Sequence, residues 1–315
     1  MENRKTERVI RSTIITGATG ALGQALCRLL ISEGVQVFVV CRPESLRAKT
    51  LPQHTKVKII SCDISELEML PELIPEKTID AFFHLAWAGN DGNNRDNMEI
   101  QIANIKYAIN ACYAAEKLGC QVFIGAGSQA EYGRTNFALK PETPCFPDNG
   151  YGMAKLCAGQ MTRVKCHNFG IDHIWARFLS VYGPYEQTSS MTISTIMKLL
   201  SGKTPAMTAG EQMWDYLYAD DAAEALYRMA MFGQNGAVYT VGSGESKQIR
   251  EYVEILRDAI NPALPIEFGA VPYAQDQVMY LKADISELTS DTGFLPRTDF
   301  KTGIRKTIEW VRGIS

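Results

Sequence analysis

Hydrophobic positions in the first half of the chain alternate between short apolar runs and longer segments where they recur every three or four residues. The short runs, rich in β-branched residues, predict strands at 13–16, 35–40, 57–61, 80–84, 122–126 and 173–177. The longer segments predict helices at 21–33, 98–118 and 151–169. Because parallel strands need a crossover helix between them, the alternation predicts an α/β fold with a doubly wound parallel sheet, a Rossmann fold.

The pattern changes after residue 178, where turn residues become frequent. It predicts a helix at 190–200, then a strand, a helix and a strand at 213–217, 220–231 and 238–241. We therefore expect a Rossmann domain formed by 1–178 plus 212–243. A smaller C-terminal α/β lobe, formed by 179–211 plus 244–315, is expected to bind substrate, since ligands of open α/β sheets bind at the carboxyl edge of the strands.

Composition excludes several classes of protein. With 46% hydrophobic and 21% charged residues among 315, the chain has the composition of an ordinary globular protein. Its 32 Lys and Arg residues against 35 Asp and Glu give a net charge of −3, without the basic excess of a nucleic-acid-binding protein. No apolar run approaches the roughly 18 residues of a membrane helix, and the polar first ten residues lack the apolar region of a secretion signal. We expect no nucleic-acid or membrane partner.

The cysteines and histidines predict a reduced, cytoplasmic protein without a metal site. None of the eight cysteines forms a CxxC pair, and several lie in apolar runs where a thiol only fills space. The four histidines are not spaced with cysteines or carboxylates as metal ligands are.

A glycine-rich turn joins the first predicted strand to the first predicted helix. It consists of Gly17, Ala18, Thr19, Gly20, Ala21, Leu22 and Gly23. Glycines here let backbone N–H groups approach a pyrophosphate, whose negative charge the helix N-terminus favours. A tight turn without a ligand is the alternative, but the position between strand and helix predicts dinucleotide binding.

Residues after the second and third strands bear on which dinucleotide binds. An acidic residue about 20 positions after the glycines binds the ribose 2′-hydroxyl of NAD, whereas an arginine accommodates the 2′-phosphate of NADP. This chain has Arg42 there, which favours NADPH/NADP over NAD; an exposed loop arginine is the alternative. Asp63, followed by Ile64, can accept a hydrogen bond from an adenine amine or cap the next helix.

Ser128, Tyr151 and Lys155 form a second candidate group. Tyr151 and Lys155 are four positions apart, so they share one helix face and the ammonium can lower the phenol pKa from about 10. Ser128 follows the fifth strand, at the edge where open sheets place catalytic groups. An ordinary helix surface is the alternative for the Tyr–Lys pair alone, but the three together predict acid–base chemistry.

These residues together resemble the extended short-chain dehydrogenase/reductase superfamily, and within it the NAD-dependent epimerase/dehydratase family, in its sugar-nucleotide-modifying branch. The matching segments are GATGALG at 17–23, Asp63 with Ile64, HLA at 84–86, Asn104, the segment 128–133, YGMAK at 151–155, RFLSVYGP at 177–184, WDYLYADD at 214–221 and GFLP at 293–296. The resemblance covers nearly the whole chain.

The resemblance implies a role for each of these residues. Tyr151 would donate or accept a proton, Lys155 would lower its pKa and hold the nicotinamide ribose, and Ser128 would hydrogen-bond the reacting oxygen. The hydride would belong to the nicotinamide. Residues implied to line the cofactor cleft after the fourth strand are Leu85, Ala86 and Trp87. Residues expected to contact substrate are Trp87, Ser128, Gln129, Glu131, Ser180 and Trp214.

Two departures from the family pattern concern the substrate. Gln129 and Ala130 stand where the 4,6-dehydratases resemble one another in having an Asp–Glu pair, which argues against dehydration. Trp214 stands where many members have an arginine for the substrate diphosphate, and 272–277 lacks the usual second arginine. Trp214 either stacks on a base or packs in the core.

The leading hypothesis is NADPH-dependent reduction of the keto group of a nucleotide-activated 4-keto-6-deoxyhexose, with Tyr151 as general acid. A sugar-nucleotide 4-epimerase with tightly bound NAD is the second hypothesis. A non-catalytic NADP(H)-binding regulatory protein is a third, from another class. The resemblance also implies a homodimer, paired through the helices predicted at 98–118 and 151–169.

Overall fold

The computed structural model describes residues 7–76, 78–90 and 92–314. Its strands are β1 (Ser12–Thr16), β2 (Gln36–Cys41), β3 (Val57–Ser61), β4 (Ala81–His84), β5 (Val122–Ser128), β6 (Asp172–Phe178), β7 (Ser180–Tyr182), β8 (Ala206–Met207), β9 (Met213–Trp214), β10 (Tyr216–Tyr218), β11 (Val238–Val241), β12 (Lys247–Gln248) and β13 (Glu267–Phe268). Its α-helices are α1 (Ala21–Ser32), α2 (Leu70–Leu73), α3 (Met98–Lys117), α4 (Gly150–Phe169), α5 (Met191–Leu200), α6 (Ala219–Phe232), α7 (Ile249–Ile260), α8 (Ser286–Thr292) and α9 (Phe300–Ile314). Short 3₁₀ helices lie at Leu46–Thr50, Ile64–Met69, Gly92–Asp96 and Gln129–Glu131.

Within the described residues, seven strands form one parallel sheet in the order β11-β6-β5-β4-β1-β2-β3. From β1 the chain first builds outward through β2 and β3. It then returns to the other side of β1 and builds outward through β4, β5 and β6. The reversal between β1 and β4 opens a crevice at the carboxyl ends of the strands, where ligands of such sheets bind. The predicted doubly wound α/β fold is confirmed.

Residues that alternate along the central strands form two separate layers of core. Ile15 and Phe83 pack with α1 and α6 on one face of the sheet. Ile14 and Phe82 pack with α3 on the other face. Strands buried on both faces need apolar residues at nearly every position, which explains the short continuous apolar runs in the sequence.

A third core cluster lies in the C-terminal part of the chain, where α5, α7 and α9 pack together. Its buried members are Tyr182, Ile193, Ile196, Leu199, Tyr218, Tyr252, Leu256, Phe300, Ile304, Ile308 and Val311. Tyr182 and Tyr218 come from β7 and β10, a parallel pair outside the central sheet. This cluster therefore anchors the C-terminal helices beside the carboxyl edge of the sheet.

The predicted single strand at 213–217 is wrong, because the chain changes partner at Asp215. β9 pairs antiparallel with β12, whereas β10 pairs parallel with β7. The Asp215 carboxylate is fully buried and accepts hydrogen bonds from the backbone N–H groups of Ser243 and Ala283 at 2.7 and 3.0 Å. A side chain that gathers donors from distant segments interrupts the strand, and local apolar spacing does not reveal it.

Two further observations concern the described part of the chain as a whole. None of its helices combines the length and the apolar character needed to cross a membrane. Nowhere in the same ranges do three His, Cys, Asp or Glu side chains come together as a metal site would require.

Candidate functional site

A first cavity of about 540 Å³ lies at the carboxyl ends of β1, β2, β3 and β4. The residues predicted to bind a cofactor that line it are Gly17, Thr19, Gly20, Arg42, Asp63, Ile64, Leu85, Ala86 and Trp87. This is the crevice where the strand order reverses. The structure thus brings together residues that are up to 70 positions apart in the sequence.

The glycine turn makes the floor of this cavity by close approach of two backbones. Gly17 has φ +76°, and a Cβ there would lie 2.7 Å from the backbone nitrogen of Ala86. Gly20 precedes α1 and supplies no side chain to cap it, so the first N–H groups of the helix are left to an anion. Gly23 packs against Ala18 behind the turn.

Ala21, Leu22, Gly23 and Lys155 were expected to contact the cofactor, and they do not line this cavity. Gly23 has a packing role: a Cβ there would lie 2.4 Å from the carbonyl oxygen of Gly17. The helix therefore sits against the turn closely enough to shape it.

Two arginines line the first cavity. Arg42 is exposed and lines the cavity, as does Arg47, which the sequence analysis did not single out. One terminal nitrogen of Arg47 donates to the carbonyl oxygens of Thr19, at 2.6 Å, and Tyr185, at 3.0 Å. No motif marks Arg47, because its partners come from distant segments.

Asp63 lies near Arg42 and caps the following 3₁₀ helix. Its carboxylate accepts from the backbone N–H and the hydroxyl of Ser65, at 3.0 and 2.8 Å. These hydrogen bonds lower the pKa of Asp63, and the charge of Arg42 adds to the effect. The capping alternative is thus the one that the structure contains, although Asp63 still lines the cavity.

These features fit a dinucleotide. The glycine floor and the uncapped helix start suit a pyrophosphate, and the two guanidinium groups make this part of the cavity positively charged. Leu85 and Ala86 complete the lining of this cavity.

A second cavity of about 510 Å³ is lined by two of the three candidate catalytic residues, Ser128 and Tyr151, but not by Lys155. Gln129, Ser180 and Trp214, which were predicted to contact substrate, line it as well, together with Arg95. The guanidinium carbon of Arg95 lies 4.5 Å from the centre of the Tyr151 ring. The Tyr151 ring, which α4 carries, therefore packs against the positive charge of Arg95.

The start of α4 fixes the position of Tyr151. Asn149 caps the helix, and its side-chain oxygen accepts from the backbone N–H of Gly152 at 2.9 Å. Asp96 accepts from the backbone N–H of Gly150 at 2.7 Å. Both residues flanking Tyr151 are thus anchored by side chains.

The electrostatics of Tyr151 and Lys155 differ from the sequence prediction. Burial raises the pKa of Tyr151, and interactions with Ser128 and Arg95 offset only part of this. The Lys155 ammonium donates to the carbonyl oxygen of Ala126 at 2.6 Å, and its nitrogen lies 3.9 Å from the centre of a Trp87 ring. The prediction that Lys155 lowers the pKa of Tyr151 is therefore wrong.

Burial lowers the pKa of Lys155 itself to about 7, while the charge of Glu131 acts in the opposite direction. Desolvation disfavours the charged form of an amine, which explains the sign. Lys155 is therefore the group of this site that titrates near neutral pH, and Tyr151 keeps its proton there.

The loop with Trp87 is held by two buried amide side chains of α3. Gln101 accepts from the Trp87 indole at 2.9 Å and donates to the carbonyl of Gly89 at 2.7 Å. Asn104 accepts from the backbone N–H of Ala88 and donates to its carbonyl, both at 2.9 Å. Asn104 belonged to the motif pattern, whereas Gln101 was missed. The loop is built as a fixed wall between the two cavities.

Glu131 does not contact the second cavity, contrary to the expectation that it binds substrate. It is fully buried, and its carboxylate accepts from the Arg177 side chain at 2.6 Å and from the Trp175 indole at 2.9 Å. A buried carboxylate needs such partners, and they turn it toward the protein interior.

Trp214 stands between the second cavity and a third one of about 340 Å³, and it lines both. Its indole donates to the Ser180 hydroxyl at 2.7 Å. The third cavity is mainly apolar, with Met207, Tyr216 and Val271 in its wall. Trp214 therefore presents its ring to both cavities, with its polar edge already bonded.

Known proteins match the chain in sequence and in fold. The model of the NAD dependent epimerase/dehydratase family matches residues 13–242. A dTDP-glucose 4,6-dehydratase of Neisseria meningitidis serogroup B is 24% identical, over 96% of this chain and 93% of the relative.

Among solved structures, a UDP-N-acetylglucosamine 4-epimerase from Methanobrevibacter ruminantium has a TM-score of 0.87 and 24% identity, covering 98% of this chain and all of the other. A UDP-glucuronic acid 4-epimerase from Bacillus cereus, solved with UDP-glucuronic acid and NAD, has a TM-score of 0.84 and 21% identity, covering 96% and 100%. These structures share the fold of this chain. Because the family model spans more than two thirds of the sequence, the chain belongs to the NAD-dependent epimerase/dehydratase family.

Proposed function

We propose that the protein is an NADPH-dependent reductase that acts on the 4-keto group of a nucleotide-activated 6-deoxyhexose. The observation that favours NADPH over NADH is Arg42, which lines the first cavity. A NAD-binding site would have a carboxylate at this position. A reductase takes up a reduced cofactor and releases it oxidised in each cycle. Binding through an exposed side chain such as Arg42 suits a cofactor that must enter and leave.

NADPH, when bound, supplies the hydride. The chain supplies the proton: Tyr151, kept neutral by its burial, donates from its hydroxyl to the developing alkoxide oxygen. Ser128 lines the same cavity and holds that oxygen, and Lys155, one turn along α4 from Tyr151, donates to the carbonyl oxygen of Ala126. Trp87 and its fixed loop shield the reacting atoms from water.

The second and third cavities accommodate the substrate in this proposal. The sugar lies against Ser128 and Tyr151, and the nucleoside lies beyond Trp214 in the more apolar cavity. Among the described residues that line these two cavities, Arg95 is the single cation, beside Asp148 and Asp276. The diphosphate is therefore held largely by neutral donors.

A 4-epimerase with tightly bound NAD is the second candidate, favoured by the structural likeness to two 4-epimerases. An epimerase needs Tyr151 to accept a proton from the sugar hydroxyl first, and the raised pKa of Tyr151 opposes a base there. Dehydration, the reaction named for the Neisseria relative, is not proposed, because Gln129 replaces the acid. A non-catalytic regulatory protein would have no use for a proton donor in the cavity.

Arg42→Asp tests the proposal. We expect purified protein to oxidise NADPH with a 4-keto-6-deoxyhexose nucleotide, and the substitution to weaken NADPH binding by about 1.5 to 3 kcal/mol, the range for a hydrogen bond to a charged group. NADH binding should change much less. Lys49→Asp, the same charge change nearby at an exposed residue outside the cavity wall, is the matched control.

Affinities for both cofactors come from fluorescence titration. An NADPH to NADH affinity ratio that is unchanged in Arg42→Asp contradicts the cofactor assignment. NAD retained through purification, together with no NADPH oxidation on any 4-keto substrate, decides for the epimerase.

A further inference from the structure

Glu131 lies directly beneath the candidate catalytic groups and has no accessible surface. One carboxylate oxygen accepts from the backbone N–H of Ser128 at 2.8 Å and from the Trp175 indole at 2.9 Å. The other accepts from the Nε of Arg177 at 2.6 Å. Every one of these donors is buried, so the carboxylate is fully coordinated away from water.

The surroundings are built to admit this network. Trp175 fits only because glycines face it: a Cβ on Gly125 or on Gly159 would lie 2.2 or 2.8 Å from its ring. A Cβ on Gly127 would lie 2.6 Å from the Glu131 carboxylate. Arg177 is held in turn, with its guanidinium carbon 4.6 Å from the centre of the Tyr132 ring.

The network meets the reaction site at two points. It fixes the backbone of Ser128, whose hydroxyl lines the second cavity and accepts from the N–H of Ala130 at 3.2 Å. It also places a negative charge near Lys155, whose ammonium is bonded to Ala126, one residue before Gly127. The bond from the Ser128 N–H to Glu131 is half of a capping box at the start of the 3₁₀ helix Gln129–Glu131, so the same carboxylate caps that helix and sets the backbone at Ser128.

We propose that Glu131 is a positioning residue, whose carboxylate holds Ser128 in register with Tyr151 and provides the buried counter-charge for Lys155. The role in catalysis rests on the proposed function, whereas the counter-charge role does not. Arg177 and Trp175 act through Glu131: they orient its two oxygens and make its burial possible.

The charged and titratable groups around Lys155 define the sign of a pH effect. Lys155 faces the ring of Tyr151 on α4, and Arg95 lies against the same ring. From β4 Lys155 faces His84, whose pKa burial lowers to about 3, so that His84 is neutral. Glu131, paired with Arg177 of β6, contributes the negative charge. Removing that charge leaves Arg177 unpaired and drives Lys155 further toward its neutral form.

The decisive variants are Glu131→Gln and the double variant Glu131→Leu/Arg177→Met. The single variant keeps the side-chain shape but leaves a buried guanidinium without its partner, which can prevent folding. The double variant removes both charges together, so no buried charge is left unpaired, and a buried ion pair replaced by apolar residues of similar volume is often neutral. It leaves the Ser128 N–H and the Trp175 indole without their acceptor, which costs some stability. It still keeps the test open if the single variant does not fold.

Asp172→Asn is the matched control. Asp172 lies on the same strand β6, at its amino end, where it pairs with the buried Arg8 at 2.5 Å. This variant also breaks an ion pair to a buried arginine, but far from Ser128 and Lys155. Any effect common to all variants is then one of stability.

The first measurement needs no substrate: NMR titration of protein labelled with ¹³C at the lysine ε-carbon, with the Lys155 signal assigned by its loss in Lys155→Met. We expect a midpoint near pH 7 in the wild type, displaced downward in Glu131→Gln, where Arg177 keeps its charge, and displaced downward by less in the double variant, where both charges are removed. Asp172→Asn should leave the midpoint unchanged. An unchanged midpoint in every folded Glu131 variant overturns the counter-charge role.

The second measurement is the NADPH-dependent reduction. We expect kcat to fall ten- to a hundredfold in the double variant with KM for the keto substrate changed less than threefold, because a small displacement of Ser128 affects the transition state more than binding. A folded double variant with wild-type kcat overturns the positioning role. If the wild type itself reduces no 4-keto substrate, the proposed function fails, while the NMR titration still decides whether Glu131 is the counter-charge of Lys155.

Discussion

At the scale of single residues, Tyr151 can act as a proton donor only if Lys155, and not Tyr151, loses its proton near pH 7. Burial raises the pKa of Tyr151 and lowers that of Lys155 to about 7. As pH rises through 7, Lys155 loses its charge while Tyr151 keeps its proton. The neutral phenol is therefore available as an acid on both sides of pH 7.

We predict that Tyr151→Phe lowers turnover by roughly 10²- to 10⁴-fold, the range for a lost general acid, and leaves NADPH affinity nearly unchanged. The wild-type rate should fall as pH rises through about 7, because the ammonium of Lys155 is lost. Stopped-flow measurement of NADPH oxidation from pH 5.5 to 9 gives the turnover rate of each protein and the pH at which it falls.

The same midpoint should persist in the residual activity of Tyr151→Phe, since the titrating group is still present. A profile that becomes flat in this variant would instead identify Tyr151 as the titrating group. Tyr113→Phe, on the exposed side of α3, is the control and should behave as wild type.

The sequence predicted site residues where a motif ties a side chain to a strand end. Ser128 and Arg42 are such residues, and both line cavities as expected. Gln101 and Arg47 could not be predicted, because their roles are hydrogen bonds to loops 12 and 138 positions away. Glu131 was assigned to the substrate because it is close to Ser128 in sequence, yet its burial partners turn it inward.

At the scale of elements, prediction succeeded for the strands of the parallel sheet, its edge strands included, and for the long helices. β3 and β11 lie at the predicted positions, and the three long helices begin and end within a residue of theirs. Prediction failed at β9 and β10, where the partner of each short strand depends on the buried Asp215. Strands of two or three residues carry too little pattern to show which neighbour they will pair with.

The cap of α4 links helix stability to the position of Tyr151. We predict that Asn149→Ala costs about 1 kcal/mol of the free energy of unfolding, the usual loss for an N-cap. It should also lower kcat several-fold, because Tyr151 is in the first turn that the cap holds. Chemical denaturation and steady-state kinetics measure the two effects.

Ser190→Ala removes an equivalent cap, on α5, where Ser190 accepts from the N–H of Ile193 at 3.2 Å. It should cost similar stability and leave kcat within twofold of wild type. Equal losses of kcat in both variants would show that general stability, not the placement of Tyr151, limits the rate.

At the scale of the whole molecule, the outer surface of α3 and α4 carries apolar side chains that the folded chain does not cover. Ile102 is 66% exposed, and Met153, Met161 and Val164 are between 47% and 55% exposed. On α4 the last three are spaced at eight and three residues, so they lie along one helix face. Exposed apolar side chains that share a helix face are the pattern expected of an interaction site.

We predict that two copies of the chain pair through this surface into a homodimer. Sedimentation equilibrium or light scattering at micromolar concentration should give twice the mass of the chain. Ile102→Glu combined with Val164→Glu should give the mass of a single chain, because burying two carboxylates at an apolar interface costs more than the contact returns. Ile314→Glu places the same charge on a 56% exposed isoleucine at the end of α9 and should remain dimeric. A wild type that stays monomeric at 100 µM, or a double variant that stays dimeric, contradicts the assignment of this surface.

Since α4 also carries Tyr151 and Lys155, the monomeric variant further shows whether pairing supports the site. NADPH affinity and kcat that match the wild type would mean that each chain holds a complete site on its own.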